Sequence, residues 1–192
     1  MLLEEKEFNN KKFKRLNLAK QSIKAKSFFD CQFENCNFTE SNFINTEFSD
    51  CKFKNCNFSL TKFPESELKD VEFNNCKLVG IKFYKFKLQL LKIKFIKCII
   101  IYCNFSNVDL KNTLLTECEI RKTDFIDIDL TKADFSKSIF EESVFHNTNL
   151  TKANFVGALN YSINPENNIL KKTKFSSPEV LSLLKDLDII IE

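Results

Sequence analysis

Large apolar residues recur at every fifth position along most of this 192-residue chain. A period of five fits neither the α-helix, at about 3.6 residues, nor the simple strand, at about two. The backbone must therefore reset its phase once in each repeat. The large residues form two combs, offset by two residues: Phe28, Phe33, Phe38, Phe43, Phe48, Phe53, Phe58, Phe63, Leu68, Phe73, Leu78, Phe83 and Leu88, then Phe95, Ile100, Phe105, Leu110, Leu115, Ile120, Phe125, Leu130, Phe135, Phe140, Phe145, Leu150 and Phe155.

The residue two places before each large residue is small or β-branched in nearly every repeat, as at Cys36, Thr46 and Ala133. Side chains alternate between the two faces of an extended strand, so both residues point inward with one outward residue between them. The other two residues are mostly polar and suited to turns, as at Glu34-Asn35 and Thr131-Lys132. The pattern predicts a narrow tube whose sides are three extended residues long.

Four repeats read Cys36-Asn37-Phe38-Thr39-Glu40, Thr123-Asp124-Phe125-Ile126-Asp127, Ala133-Asp134-Phe135-Ser136-Lys137 and Ala153-Asn154-Phe155-Val156-Gly157. They resemble the pentapeptide-repeat family, whose pattern is (S/T/A/V)(D/N)(L/F)(S/T/R)X, and the resemblance covers about residues 28 to 157. It implies an all-β fold, a right-handed quadrilateral β-helix in which four repeats make one square coil.

The chain divides into three parts. Residues 1–27 keep the large positions but place Lys6, Lys11 and Lys26 where small residues are expected, which predicts a cap or an imperfect first coil. Residues 28–160 form the β-helix, with a two-residue register slip near 84–94. Residues 161–192 contain a turn, then Ser177-Pro178-Glu179, which is typical of a helix start and predicts a short C-terminal α-helix to about Asp186.

All eight cysteines occupy the small inward position: Cys31, Cys36, Cys51, Cys56, Cys76, Cys98, Cys103 and Cys118. Their spacing by five or its multiples, with large side chains between, does not fit a structural zinc site. Buried cysteine acts as a small apolar residue, and thiols stay reduced in the cytoplasm. We expect core thiols, stacked from coil to coil, rather than disulfides or metal ligands.

No catalytic constellation emerges from the sequence. The only two glycines, Gly80 and Gly157, cannot supply a phosphate-binding loop. The single histidine, His146, has no outward cysteine or second histidine to pair with. The sequence therefore predicts no catalytic residue, no cofactor and no metal site, and a protein that is not an enzyme.

Charge varies along the chain although the net charge is only +3. Residues 28–80 and 123–160 are net acidic, whereas residues 81–122 are net basic and contain Lys82, Lys85, Lys87, Lys92, Lys94 and Lys97. This lysine cluster has two interpretations, a solvated face that prevents sticking or a nucleic-acid patch. Direct nucleic-acid binding is the less expected of the two.

The turn Ile163-Asn164-Pro165-Glu166-Asn167-Asn168, the C-terminal apolar segment and the length most resemble the branch of the family that protects DNA gyrase and topoisomerase IV, including Qnr-type quinolone-resistance and microcin B17 immunity proteins. The resemblance implies a dimeric rod that imitates DNA. The partner-binding candidates are Asp124, Asp134, Glu141 and Glu142, and the dimer candidates are Val180, Leu181, Leu184, Leu187, Ile189 and Ile191.

Two alternatives remain open, a scaffold for some other protein and a nucleic-acid binder acting through Lys82 to Lys97. The N-terminal residues contain no apolar signal segment, and no apolar run is long enough to span a bilayer. We therefore expect a cytoplasmic protein that does not enter a membrane.

Overall fold

The computed structural model describes residues 5–86, 92–185, 187 and 189–190, and Leu88 of the predicted comb lies outside them. Short parallel strands pair with equivalents one coil away, usually 20 residues along the chain, as Phe8 pairs with Phe28. Four successive faces make one coil, so face 1 lies opposite face 3 and face 2 opposite face 4. The predicted all-β solenoid is confirmed.

The strands belong to four faces. Face 1 contains Glu7–Asn9, Ser27–Phe29, Glu47–Ser49, Glu67–Lys69, Thr148–Asn149 and Asn168–Ile169. Face 2 contains Lys12–Lys14, Gln32–Glu34, Lys52–Lys54, Val71–Asn74, Ile93–Ile96, Leu114–Thr116, Asn154–Phe155 and Lys174–Phe175. Face 3 contains Asn57–Ser59, Lys77–Val79, Ile99–Ile101, Glu119–Arg121 and Ile139–Glu141. Face 4 contains Ser22–Lys24, Asn42–Ile44, Asp124–Ile126 and Val144–His146.

The large residues fill the interior as columns of stacked side chains. Phe33 and Phe53 of face 2 stack with ring centroids 4.7 Å apart, and Phe53 and Phe73 stack at 5.1 Å. Rings on neighbouring faces meet edge to face, as Phe53 and Phe58 do at 5.1 Å. Both geometries are favourable for aromatic pairs. Stacking along the tube and edge contacts across it therefore pack the same ring in two directions.

The small inward residues do more than fill space, because their polar atoms donate to main-chain carbonyls. Thr61 Oγ1 lies 2.7 Å from the carbonyl oxygen of Phe38, one coil earlier, and Ser138 Oγ lies 2.6 Å from that of Leu115. The thiol of Cys51 makes the same contact with Phe28 at 3.3 Å. A buried carbonyl needs a donor, which explains why serine, threonine and cysteine share this position.

Most corners in the described part of the chain are made by a residue in the left-handed conformation. Asn35, Asn55 and Asn75, for example, have φ of 55°, 55° and 51°. The extended segment is centred on the large residue, as in Gln32–Glu34, rather than beginning at the small residue as the sequence predicts. The reason is that the turn takes place at the second residue after the large one, and the small residue follows the corner directly.

The ladder is longer than the sequence boundaries at 28 and 160. Glu7–Asn9 pairs with Ser27–Phe29, so residues before 28 form a paired first coil. The large inward Lys26 is accommodated there, since its ammonium donates to the carbonyl of Glu5. At the other end Asn154–Phe155 pairs with Lys174–Phe175, because a 3₁₀ helix at Pro165–Asn167 restores the register after a shortened coil.

The two-residue slip begins in a 3₁₀ helix, Phe83–Lys85. Beyond it the pairing offset is 22 residues for one coil, as between Phe73 and Phe95. Phe86 turns inward and stacks on Phe63 with centroids 4.9 Å apart. The extra ring keeps the interior filled where the chain lengthens.

The predicted C-terminal α-helix is instead a six-residue 3₁₀ helix, Glu179–Leu184, and its predicted end at Asp186 lies outside the described residues. Leu181 donates to the carbonyl of Pro178, and Ser177 does not act as an N-cap. Such a short segment forms i to i+3 bonds readily. Leu183 packs against the core, so this segment contacts the end of the tube.

Replacement of Phe53 by alanine should destabilise the fold by about 3 to 5 kcal/mol, because the ring is fully buried between five others. Phe29→Ala is the matched control, since this half-buried ring ends its strand on the outside. Its effect should stay within about 1 kcal/mol. Denaturant unfolding followed by far-ultraviolet circular dichroism measures both, and equal losses would contradict the packing described.

Candidate functional site

Five of the eight thiols form a long interior column. Cys36, Cys56 and Cys76 lie in successive coils, and the pairing of Lys77 with Ile99 across the slip continues the column to Cys98 and Cys118. From the sequence, Cys36, Cys56 and Cys76 are expected to stack, and Cys98 is expected to lie below Cys118. The structure joins these two groups because the coil that contains the insertion is 22 residues long and still makes a single turn of the tube. All eight cysteines are free and buried.

Burial makes these thiols poor nucleophiles. It raises the pKa of Cys51, Cys98 and Cys103 to about 12. The thiolate is the reactive form, so its population at neutral pH is very small. Among the described residues no group of histidine, cysteine or carboxylate side chains could hold a metal ion.

Two shallow grooves cross the surface. One of about 690 Å³ runs past Asp127, Asp129, His146 and Glu166, where the carboxylates and the histidine line an open wall. The other, of about 830 Å³, lies over Leu60 and Phe63 and is bordered by Lys82 and Lys85. Neither brings a nucleophile and a base together.

The four predicted partner-binding acids do not share a face. Asp124 follows a corner onto face 4 and accepts from Asn104 Nδ2 at 3.1 Å. Asp134 lies on the opposite face, where its Oδ1 accepts from the Ser136 amide at 2.9 Å and from Asn154 Nδ2 at 3.0 Å. Glu141 ends a strand of face 3 and pairs with Arg121 at 3.1 Å, and Glu142 forms the next corner and pairs with Lys122 at 3.6 Å.

The lysine cluster predicted from residues 82 to 97 is divided by the fold. Lys82 and Lys85 lie on face 4, whereas Lys94 lies on the opposite face 2. Lys92 and Lys97 occupy corners and pair with Asp70 and Glu117, both at 3.7 Å. Lys87 lies outside the described residues. Neighbours in sequence are thus separated in space, because each coil passes all four faces.

The structure reveals an acidic surface that the sequence analysis missed. We call it the acidic strip: it follows face 1 and its two bordering corners through the first four coils, and its residues are Glu7, Asp30, Glu47, Asp50, Glu65, Glu67 and Asp70. Within the described part of the chain, Asp30, Glu47, Asp50 and Glu65 have no salt-bridge partner. The signal available in the sequence was the 20-residue interval between Asp30, Asp50 and Asp70.

Basic residues also lie along the strip, since Lys6 and Lys26 belong to face 1 in the first two coils. Lys69 lies on the same face, and Lys92 pairs with Asp70 at its end. Most acids in the second half of the rod are neutralised instead, as Asp109 and Asp129 are by Lys111 at 3.2 and 3.5 Å. Among the described residues, four acids of the strip thus keep their charge without a salt bridge, which makes the strip a source of negative potential.

The C-terminal segment exposes apolar side chains. Leu181, Leu187 and Ile189 are 47, 47 and 53% exposed, and Ile190 is 91% exposed. Val180 and Leu184 are half-buried, and Ile191 lies outside the described residues. Over the residues that the structure covers, no helix is long and apolar enough to cross a membrane.

Comparisons with known proteins agree on the family and the fold. The model of the family described as Pentapeptide repeat region matches residues 26–97 and 87–155. No curated protein matches the sequence.

Among solved structures, two trypsin-treated variants of QnrB1, a plasmid-mediated fluoroquinolone resistance protein, superpose with TM-scores of 0.73 and 0.74 at 20% identity, each comparison covering 97% of both chains. Full-length QnrB1 gives 0.56 at 16% identity, over 95% of this chain and 100% of that one. Identity this low shows a shared fold only.

The buried thiols should resist a disulfide reagent such as Ellman's reagent in the native protein at pH 8, because they are unexposed and, for Cys51, Cys98 and Cys103, have raised pKa values. In denaturant all eight should react. Rapid reaction of several thiols without denaturant would place them outside the core.

Proposed function

Because the chain belongs to the pentapeptide-repeat family, we propose that it is a non-enzymatic binding protein whose acidic strip engages DNA gyrase or topoisomerase IV in place of DNA. The outcome would be protection of the enzyme from a fluoroquinolone or a peptide toxin. Such a role places the protein in the cytoplasm. The fold supports a general binding role, since the interior is filled with side chains and only the outer surface is available for recognition.

The observation that supports binding to a topoisomerase in place of DNA is the charge density of the acidic strip. Seven carboxylates over four coils, at about 4.8 Å per coil, give roughly one charge per 2.7 Å of rod. Duplex DNA carries one charge per about 1.7 Å of its axis. The two densities are of the same order, so a protein groove lined by lysine and arginine for DNA would also attract this face.

The strip is fixed in place, as a DNA substitute requires. Asp30 and Asp50 lie at corners, and their main-chain amides donate to the carbonyl oxygens of Ser49 and Lys69 in the next coil, at 3.0 and 2.9 Å. Charges held on a rigid ladder lose little conformational freedom when they bind. The likeness to QnrB1 adds that a rod of this shape occurs in a protein that confers fluoroquinolone resistance.

We also place a dimer contact at the C-terminal end of the rod. The exposed side chains of Leu181, Leu187, Ile189 and Ile190 form an apolar group there, and burying it against a second copy would remove that surface from water. The contact would double the length of the rod presented to the enzyme.

The triple variant Asp30→Asn, Asp50→Asn, Asp70→Asn tests the role of the strip. Asparagine tolerates the left-handed corners, so only the charge changes. In gyrase supercoiling assays with a fluoroquinolone, the wild type should restore activity, and the variant should need about tenfold more protein for half protection, as expected for losing several charge contacts.

The control is Asp124→Asn, Glu141→Gln, Glu142→Gln, which removes three carboxylates that already have partners. It should protect as well as the wild type. Equal loss in both variants would assign recognition to net charge alone. Absence of protection, inhibition and enzyme binding by the wild-type protein would remove the topoisomerase proposal and leave the general binding role.

A further inference from the structure

One corner of the rod, between faces 1 and 2, carries charges that change sign halfway along it. We call this column the corner ridge, and its residues, one per coil, are Asn10, Asp30, Asp50, Asp70, Lys92, Asn112, Lys132, Lys152 and Lys172. Three aspartates therefore occupy the first half, and three lysines occupy the second. The run of lysines is independent of the acidic strip and lies beyond its end.

Main-chain hydrogen bonds hold the ridge residues in register. The amide of Asp50 donates to Lys69 at 2.9 Å, and those of Lys132 and Lys152 donate to Thr151 and Lys171 at 2.9 and 2.8 Å. Each bond links one ridge residue to the residue just before the equivalent corner of the next coil. The side chains therefore project at intervals of about 4.8 Å, the spacing of neighbouring strands.

The ridge charges are available to a partner. Asp30, Asp50, Lys132, Lys152 and Lys172 are all exposed, and within the described residues none of them has a salt bridge. At the middle of the ridge Asp70 pairs with Lys92 at 3.7 Å. The two ends thus carry opposite charges that nothing within the described chain neutralises.

The backbone does not explain the lysines. Lys132, Lys152 and Lys172 have φ of 60°, 60° and 56°. This left-handed conformation suits glycine, asparagine and aspartate better than a long side chain. Lysine also occupies left-handed corners elsewhere, at Lys20, Lys97, Lys122 and Lys137, but none of these lies one coil from another lysine corner. Three lysines in line on this corner are thus better explained by their charge than by the turn.

We propose that the corner ridge binds the ridge of a second copy of this chain in antiparallel orientation. Asp30, Asp50 and Asp70 are separated by single coils, and so are Lys132, Lys152 and Lys172. An antiparallel alignment brings Asp30 opposite Lys172 of the second copy, Asp50 opposite its Lys152 and Asp70 opposite its Lys132. The twofold symmetry then repeats the same three pairs at the other end.

The centre of this alignment places Lys92 of each copy opposite the neutral Asn112 of the other, and each Lys92 already pairs with Asp70 of its own chain. A parallel alignment would instead place aspartate against aspartate and lysine against lysine. An unrelated partner would need the same reversal of charge at the same intervals, whereas a second copy possesses it by symmetry. The pattern therefore selects self-association over a general anionic or cationic partner.

Antiparallel pairing would cover Asp30, Asp50 and Asp70, three residues of the acidic strip. Self-association and binding of a basic partner would then exclude each other. The inference does not rest on the topoisomerase proposal, since it concerns only two copies of the chain, and its test contains no other protein.

Sedimentation velocity on charge-reversed variants tests the ridge. The acidic-ridge variant carries Lys132→Glu, Lys152→Glu and Lys172→Glu, and the basic-ridge variant carries Asp30→Lys, Asp50→Lys and Asp70→Lys. All proteins also carry Leu187→Glu and Ile189→Glu, which remove the apolar contact proposed at the C-terminal end. The wild-type protein is also compared with the variant that carries only these two changes. A lower sedimenting mass for that variant reports the end contact separately.

At an ionic strength of about 0.01 M, where charges act over roughly 30 Å, the parent should associate. Each ridge variant alone should associate about tenfold more weakly. An equimolar mixture of the acidic-ridge and basic-ridge variants should form a one-to-one complex at least as readily as the parent, because every pair in it is complementary. The complex should dissociate at about 1 M salt, where the range falls to about 3 Å.

The matched control carries Arg15→Glu, Lys97→Glu and Lys137→Glu, which reverse three charges at left-handed corners of the neighbouring column, between faces 2 and 3. It should associate like the parent.

Circular dichroism verifies the folding of each variant, and the triple asparagine variant at Asp30, Asp50 and Asp70 provides a milder substitute if a reversal unfolds the chain. A parent and a mixture that both remain monomeric at low salt, or a control that weakens association equally, would overturn the proposal.

Discussion

The contact between equivalent large side chains of successive coils is the interaction on which the rest of the structure depends. Phe13, Phe33 and Phe53 stack at 4.8 and 4.7 Å, a distance that matches the spacing of paired strands. Ring stacking and the main-chain ladder therefore favour the same rise per coil. The stacked large residues and the small residues before them fill the inward positions. The remaining residues of each repeat therefore lie on the outside, where the sequence can vary without loss of the fold.

The periodic core could be predicted from the sequence because one residue type repeats at one interval. The ends could not. Leu170 and Phe175 continue the spacing of the second comb, but the shortened coil that ends at Ile163, 18 residues after Phe145, conceals this in the sequence. The C-terminal segment has apolar spacing and a proline typical of an α-helix, yet only six residues become helical, too few for α-helical hydrogen bonds to outweigh local packing.

Surface patterns were harder to predict than the core, because they depend on which corner each residue occupies. Asp124 and Asp134 match the repeat pattern equally well, yet they lie on opposite faces and accept hydrogen bonds that shape the rod. The corner ridge crosses the two-residue insertion between Asp70 and Lys92, so its second half is aligned with its first only when the pairing across the slip is known. Net charge, at +3, conceals both the acidic strip and the lysines beyond it.

Distances between spin labels along one corner test the coil geometry most directly. With Asn35→Cys fixed and a second label at Glu117→Cys or Lys137→Cys, the pairs lie four and five coils apart. Pulsed electron paramagnetic resonance should give backbone separations of roughly 19 and 24 Å, an increase of about 4.8 Å per coil. Separations that do not rise with coil number, or that exceed these values several-fold, would contradict the stacked tube.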